Sequence, residues 1–521
     1  MSIKTDTKKY DIVIIGAGHN GLVAATYLAK AGKRVLVLEA NAEIGGATTS
    51  VRAFPEFDAR LSRYSYLISL LPDKIIEDLG LNFKAISRRV SSYTPYNSRG
   101  TDEGLYVSRI WDAKTSNSFK ALLGGDEEAK AWQKFYGEVS EFAQRISPTL
   151  LQPLSTRSEL KKSISLPKIW DYLIENPIGE IIAKTFQSDV VRGIVLTDAL
   201  IGTFVSAYSI QANKCFLYHL IGNGTGEWKV PVGGMGALVQ ELERVARSSG
   251  VTITTNSRAT QVHAEKNEVT VTLEDGNYIS TRYLLSNAAP QVLAKLRGLN
   301  PPKSLEGSQL KINMLVTRLP KLKSRVDSQD AFAGTFHINE SFTQLESAYR
   351  QAQSGKIPDT LPLEIYCHTL TDPSILNASL HHEGYHTLTL FGIHTPAALF
   401  DDNHDKQRSI ALTSAIRSLN EYLIDPIESV VARSSSGEPA MEVKTPLDIE
   451  AAIGLPRGNI FHRDLSFPFS EEGENQKWGV ETDDPRIFIC GAGAKRGGGV
   501  SGIPGHNAAM AVLAKENLIS C

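Results

Sequence analysis

An α/β fold is predicted, with a Rossmann-like parallel sheet shared between distant parts of the chain and a discontinuous mixed α+β remainder. Three observations predict it. A buried-strand run, Asp11 to Ile15, leads into a glycine turn and a helical pattern. A second apolar run, Val35 to Leu38, follows and ends on an acid, Glu39. Far downstream, Ile487 to Cys490 again runs into glycines and a helical stretch.

The N-terminal unit comes first in the chain. Continuous apolar, β-branched runs are the mark of strands buried on both faces of a parallel sheet. Between the two runs lies Gly16-Ala-Gly18-His19-Asn20-Gly21, then Leu22, Ala25, Thr26 and Ala29 at helical spacing, and Gly32 as the stop. In such a βαβ unit the first glycine permits the tight turn, the second lets backbone approach a pyrophosphate, and the third lets helix pack on strand. Glu39 lies 18 positions beyond Gly21, where a carboxylate accepts from a ribose diol and repels a phosphorylated ribose. The stretch that follows, Glu43-Ile44-Gly45-Gly46, resembles the extended fingerprint of FAD-binding proteins of the glutathione-reductase and amine-oxidase type. The resemblance implies FAD rather than NAD. The cofactor-binding set expected at this end is Gly16, Gly18, His19, Asn20, Gly21, Glu39, Ala40, Gly45, Gly46, Ala47 and Thr48.

At the other end, Gly491 to Gly505 carries seven glycines before a helix expected from about His506 to Leu518. Backbone N–H groups and the positive end of a helix dipole at such a start stabilise an anion, and a reduced flavin is one at its pyrimidine edge.

Taken together, Gly16 to Gly46, Leu196 to Gly202, Gly233 to Leu238, Ser286-Asn287, Gly458 to His462 and Gly491 to Asn507 resemble the phytoene-desaturase and carotenoid-ketolase-like flavoproteins. Within that family they are most similar to the branch of pyridine nucleotide-disulfide oxidoreductase domain-containing protein 2. The resemblance implies that Gly498, Val500, Ser501 and Gly502 lie beside the isoalloxazine, that Gly491 belongs to the same cofactor-binding set, and that backbone near Val262 contacts the adenine part. It also implies oxidation, dehydrogenation or isomerisation of a largely apolar, isoprenoid or carotenoid-like substrate. One block departs from the family: Ala494-Lys495-Arg496 stands where a small hydroxyl residue, His and Pro are usual. Those two cations are placed either to hold an acidic substrate group or tune the flavin, or to serve as solvated loop charges.

Between the ends, Val251 to Thr255 and Val269 to Leu273 alternate like strands, and Asp275-Gly276 marks a hairpin. They resemble the β-insert of the same flavoproteins. A helix from Met235 to about Ser248 precedes them, and Tyr283 to Ala288 returns the chain to the cofactor sheet. The expected division is 1–70, 226–296 and 481–521 for the FAD-binding domain, with 71–225 and 297–480 for the substrate domain. In the latter, Trp132, Phe135, Val139, Phe142 and Ile146 form one helical stripe after the expected cap Asp126. Ser98 to Glu103 and Arg433 to Glu438 read as surface loops.

Composition excludes several classes. The 521 residues carry a formal charge of −2 and no long basic run, which argues against a nucleic-acid partner. Cys215, Cys367, Cys490 and Cys521 form no C-x-x-C pair, so neither a redox dithiol nor the usual zinc spacing exists. No metal is expected. No second strand–glycine–helix–acid unit offers an NAD(P)H site, so electrons are expected to leave to oxygen, a quinone or another acceptor, unless the substrate is both reduced and reoxidised in an isomerisation. The opening Met1 to Lys9 lacks a secretory core, giving a cytoplasmic expectation, with transient membrane contact and a homodimer left open. His219, His462, His506 and Asp198 lie in family-like blocks as candidates for proton transfer or for structural hydrogen bonds, and no catalytic residue is assigned. Two rival functions stand beside the first: an amine-oxidase-like enzyme of small metabolites, marked by an aromatic pair at the flavin, and a flavin-binding scaffold without turnover.

Overall fold

The computed structural model describes residues 10–98, 100–474 and 476–516. The opening Met1 to Lys9, Cys521 and the expected helix end at Leu518 lie outside them.

The three buried-strand runs become neighbours in one parallel sheet, in the order Ile487–Ile489, Tyr283–Ser286, Ile12–Ile15, Val35–Leu38 and Thr252–Thr254. Ile12 pairs with both Val35 and Tyr283, and the residues of the central strand are almost wholly buried. Helix His19–Lys30 packs against helices Met235–Ser248 and Ile503–Lys515. The C-terminal helix starts at Ile503, three residues before the expected His506, because Pro504 fits the first turn, where no N–H is needed.

The Val251 to Thr255 run is not part of the β-insert. Its strand Thr252–Thr254 is the edge of the parallel sheet, with Ile253 turned to the core and both threonines exposed, which explains its alternation. The insert is the antiparallel sheet of Ala259–Ala264, Val269–Leu273 and Tyr278–Thr281. Tyr283–Ser286 does return to the parallel sheet.

A second, seven-stranded mixed sheet runs in the order Met441–Lys444, Leu310–Val316, His386–Gly392, Leu363–Tyr366, Thr335–Ile338, Val90–Ser98 and Thr101–Ser108. Of the expected loop at Ser98 to Glu103, Ser98 and Thr101 to Glu103 are paired strand ends of its outer hairpin, whose polar side chains hide the strand pattern, and Arg99 lies outside the described residues; Arg433 to Glu438 is an exposed turn. A helical layer covers this sheet. In helix Glu127–Ile146, Phe135, Val139, Phe142 and Ile146 are buried in the layer's core and Trp132 is half-buried. Asp126 occupies the N-cap without capping: at φ −98°, ψ 0° it lacks the extended backbone that aims a side chain at the free N–H groups. Among the described residues no helix is long and apolar enough to cross a membrane.

Candidate functional site

At the N-terminal turn, Gly16 has φ +97°, and a Cβ on Gly21 would stand 2.3 Å from the Gly16 carbonyl, so helix and strand meet only because both are glycine. A Cβ on Gly18 would come within 2.8 Å of Asn287 Nδ2, which donates to the Gly16 carbonyl at 3.3 Å. Glu39, 8% exposed, accepts from the N–H of Ala17 and of Asn41, both at 2.9 Å, so its carboxylate is held beside the turn. Gly45, at φ +118°, bridges to Gly18 and donates to the Ala17 carbonyl, bringing Gly46, Ala47 and buried Thr48 alongside. Ala40 is half-buried after Glu39. The Ser65 hydroxyl donates to the Ala47 carbonyl at 2.8 Å, so Tyr66 follows directly from this segment.

The C-terminal block closes onto the same place. Cys490 donates to Ser286, and a Cβ on Gly491 would stand 2.4 Å from the Asn287 carbonyl. Gly498, at φ +104°, lies against Phe461 and Leu465, while Gly502 caps the last helix at φ +72° beside Val23. Val500 is half-buried, and buried Ser501 accepts from Ile503 N–H at 3.3 Å. The buried His19 imidazole lies beside the Gly499 backbone, which brings the two glycine segments together. His19 Nε2, Asn20 Oδ1 and His462 Nδ1 are buried there without a partner among the described residues. Burial holds both imidazoles neutral, at about 4. Buried polar atoms without partners mark where a polar ligand completes a site. A glycine cradle with such atoms at its centre fits a dinucleotide. Val262 is buried on the edge strand of the insert, in the same apolar core as the parallel sheet.

Lys495 and Arg496 are neither substrate ligands nor solvated. Lys495 pairs with Glu474, and Arg496, 1% exposed, donates to the carbonyls of Thr149, Gln152 and Trp478. His506 is buried against Asn507 and Tyr27 in the last helix. Cys215, Cys367 and Cys490 are buried free thiols, pushed up in pKa by burial and thus unreactive.

Asp198 and His219 open instead on a cavity of about 620 Å³ between the helical layer and the seven-stranded sheet. Its wall combines rings, Tyr66, Trp132, Tyr136, Trp228 and Tyr366, with the polar groups Arg88, His337 and Glu364. Tyr66 and Tyr366 lie 4.0 Å apart between centroids at 43°. Burial and the neighbouring carboxyls Glu364 and Glu340 push Asp198 up to about 8. Burial likewise raises Glu364 to about 7, although Tyr366 and Thr197 both donate to it. Behind Tyr66 lies a residue that sequence reasoning passed over. Lys311 is 1% exposed, its Nζ donates to the Ser62 carbonyl at 3.0 Å and sits 5.0 Å from the Phe391 ring. Burial drives its pKa well below the usual lysine range. A lysine inside the apolar strand Leu310–Val316 was the available signal.

Comparison with known proteins agrees with this geometry. Residues 14–72 match the NAD(P)-binding Rossmann-like domain, and residues 85–419 match the flavin containing amine oxidoreductase family. An uncharacterized protein of Mycobacterium tuberculosis is 43% identical over 97% of both chains. Pyridine nucleotide-disulfide oxidoreductase domain-containing protein 2 of Mus musculus is 31% identical over 97% of this chain and 93% of its own. The chloroplastic prolycopene isomerase of Daucus carota is 24% identical over 83% and 70%. A putrescine oxidase structure shares the fold at TM-score 0.58 and 16% identity, over 98% of this chain and 99% of that one. The chain therefore belongs to the flavin containing amine oxidoreductase family, as an oxidoreductase whose cofactor is FAD.

Proposed function

We propose that the chain oxidises, by two electrons, a substrate with an apolar, unsaturated body and a hydrogen-bonding end, bound in the cavity of about 620 Å³. The N-terminal set from Gly16 to Thr48, with Val262, holds the adenosine and diphosphate side of FAD, and Gly491, Gly498, Val500, Ser501 and Gly502 hold its ring side. When bound, FAD takes up the electrons and passes them to oxygen or a quinone.

One observation carries the reading: the cavity wall begins at Tyr66, one residue from the Ser65–Ala47 hydrogen bond that ties it to the cofactor segment. The rings supply a surface for a planar, unsaturated body. Asp198 and His219 on the helical side and Glu364 on the sheet supply groups that accept or donate a hydrogen bond, which a pure hydrocarbon would leave unmatched. Burial moves the pKa of Lys311, behind Tyr66, well below the usual lysine range, which eases loss of its proton. The likeness to prolycopene isomerase supports an isoprenoid body. A second reading, an amine substrate, draws support from the Tyr66–Tyr366 pair beside Glu364, since rings and a carboxylate together favour a cation.

Anaerobic titration of the flavin-loaded protein tests both. Bleaching of the flavin by oxygenated polyenes, and not by amines, is the expected result. Bleaching by amines alone would move the assignment to the second reading, and no bleaching by either class would leave a flavin-binding scaffold.

A further inference from the structure

One wall of the cavity carries a three-residue donor set of which the proposed oxidation draws on Glu364 alone. His337 and Glu364 face each other across antiparallel strands Thr335–Ile338 and Leu363–Tyr366, and Glu340 follows just beyond the first strand. A nitrogen of His337 and one oxygen each of Glu340 and Glu364 all lie within 4.8 Å of one another. The three residues are 5%, 1% and 3% exposed. His337 Nδ1 is 2.7 Å from Glu340 Oε2, while Glu340 Oε1 is buried with no hydrogen-bond partner among the described residues.

Two carboxyls this close and this deep are costly unless a cation or bound protons neutralise them. The nearest fixed cation, Arg88, gives its hydrogen bonds elsewhere, to the Trp228 carbonyl and the Thr335 hydroxyl. Burial raises the pKa of both carboxyls, and the neighbouring Glu340 adds to the rise at Glu364. A divalent ion would neutralise the two carboxylates and give Glu340 Oε1 its missing partner. One imidazole with two carboxylates suits first-row ions such as Zn²⁺ or Mn²⁺, whereas Ca²⁺ and Mg²⁺ prefer oxygen alone. Ligand bonds of about 2.1 Å at tetrahedral angles put donors roughly 3.4 Å apart, so a pair at the 4.8 Å limit would have to close by about 1.4 Å.

We propose that His337, Glu340 and Glu364 form a binding site for a first-row divalent cation. His337 and Glu364 also line the cavity, which leaves the ion's remaining positions open towards it. The ion would there hold an oxygen of a bound molecule.

The flavin-loaded full chain, stripped with chelator, is titrated calorimetrically with Zn²⁺ and with Mg²⁺ in two buffers of different ionisation enthalpy. One tight Zn²⁺ per chain is expected, with protons released near pH 7 and Mg²⁺ bound at least about tenfold more weakly. Glu340→Gln, which keeps shape but removes a charge, is expected to weaken Zn²⁺ at least about tenfold. X-ray absorption of the wild-type zinc complex gives the ligand set even if the variant misfolds, and one imidazole with oxygen donors is expected. No stoichiometric uptake by the wild type, or uptake with two or more imidazoles, would overturn the site. Neither result depends on the identity of the oxidised substrate.

Discussion

Arg496 carries its guanidinium into the interior and spends its hydrogen bonds on backbone carbonyls of Thr149, Gln152 and Trp478. It tethers the C-terminal glycine block to the helical layer. Arg496→Met is expected to lower unfolding free energy by about 3 kcal/mol in urea titration, since buried acceptors lose their donor. Lys495→Ala, which removes one ion pair to half-exposed Glu474, is expected to cost under about 1 kcal/mol. Equal losses would contradict the tether. Asp198 behaves differently because its folded pKa, about 8, lies above its ordinary value of 3.8. Between those values the folded state holds a proton that the unfolded state has released, so this group's contribution is lost as pH rises. His19, His219 and His462, lowered to about 4, act oppositely and weaken the fold as pH falls below about 6.5. Asp198→Asn removes only the first effect. Its stability relative to wild type is expected to improve by on the order of 2 kcal/mol from pH 5 to pH 8, and a constant difference would show that Asp198 is ionised throughout.

Helix contacts turn on two glycines of opposite character. A Cβ on Gly505 would meet the Asn20 carbonyl at 2.1 Å, where helices His19–Lys30 and Ile503–Lys515 cross. Gly137, inside helix Glu127–Ile146, has nothing within 4 Å of its Cβ position. Gly505→Ala is expected to lower stability by about 1–3 kcal/mol through overpacking. Gly137→Ala is expected to raise it by about 0.5–1 kcal/mol, the helix propensity gain, with thermal unfolding as the readout for both. The same local physics decided which elements were legible. Ile12–Ile15, Val35–Leu38, Tyr283–Ser286 and Ile487–Ile489 are buried on both faces, so apolar runs reveal them. The seven-stranded sheet escaped notice because Leu310–Val316 carries Lys311 and Asn313 inward, and Val90–Ser98 is mostly polar.

At the scale of the whole molecule, the parallel sheet takes strands from both termini, and His19 meets the Gly499 backbone across most of the chain length. The cradle was readable because each glycine motif has its own local meaning. The cavity was not, since Tyr66, Asp198, His337 and Glu364 come from separate elements and share no sequence spacing. Arg496 was misread for a related reason: sequence places it beside glycines, and only packing shows carbonyls from two other segments around it. If both ends hold one FAD, damage at either end must weaken the same binding event. The direct measurement is a fluorescence titration of flavin-stripped protein with FAD, comparing wild type with Glu39→Ala and Val500→Asp, each checked for folding by circular dichroism. One FAD per chain, bound at least about tenfold more weakly in both variants, is expected from loss of a ribose hydrogen bond at one end and charge repulsion at the other. Full wild-type affinity in either folded variant would contradict a cofactor held between the two ends.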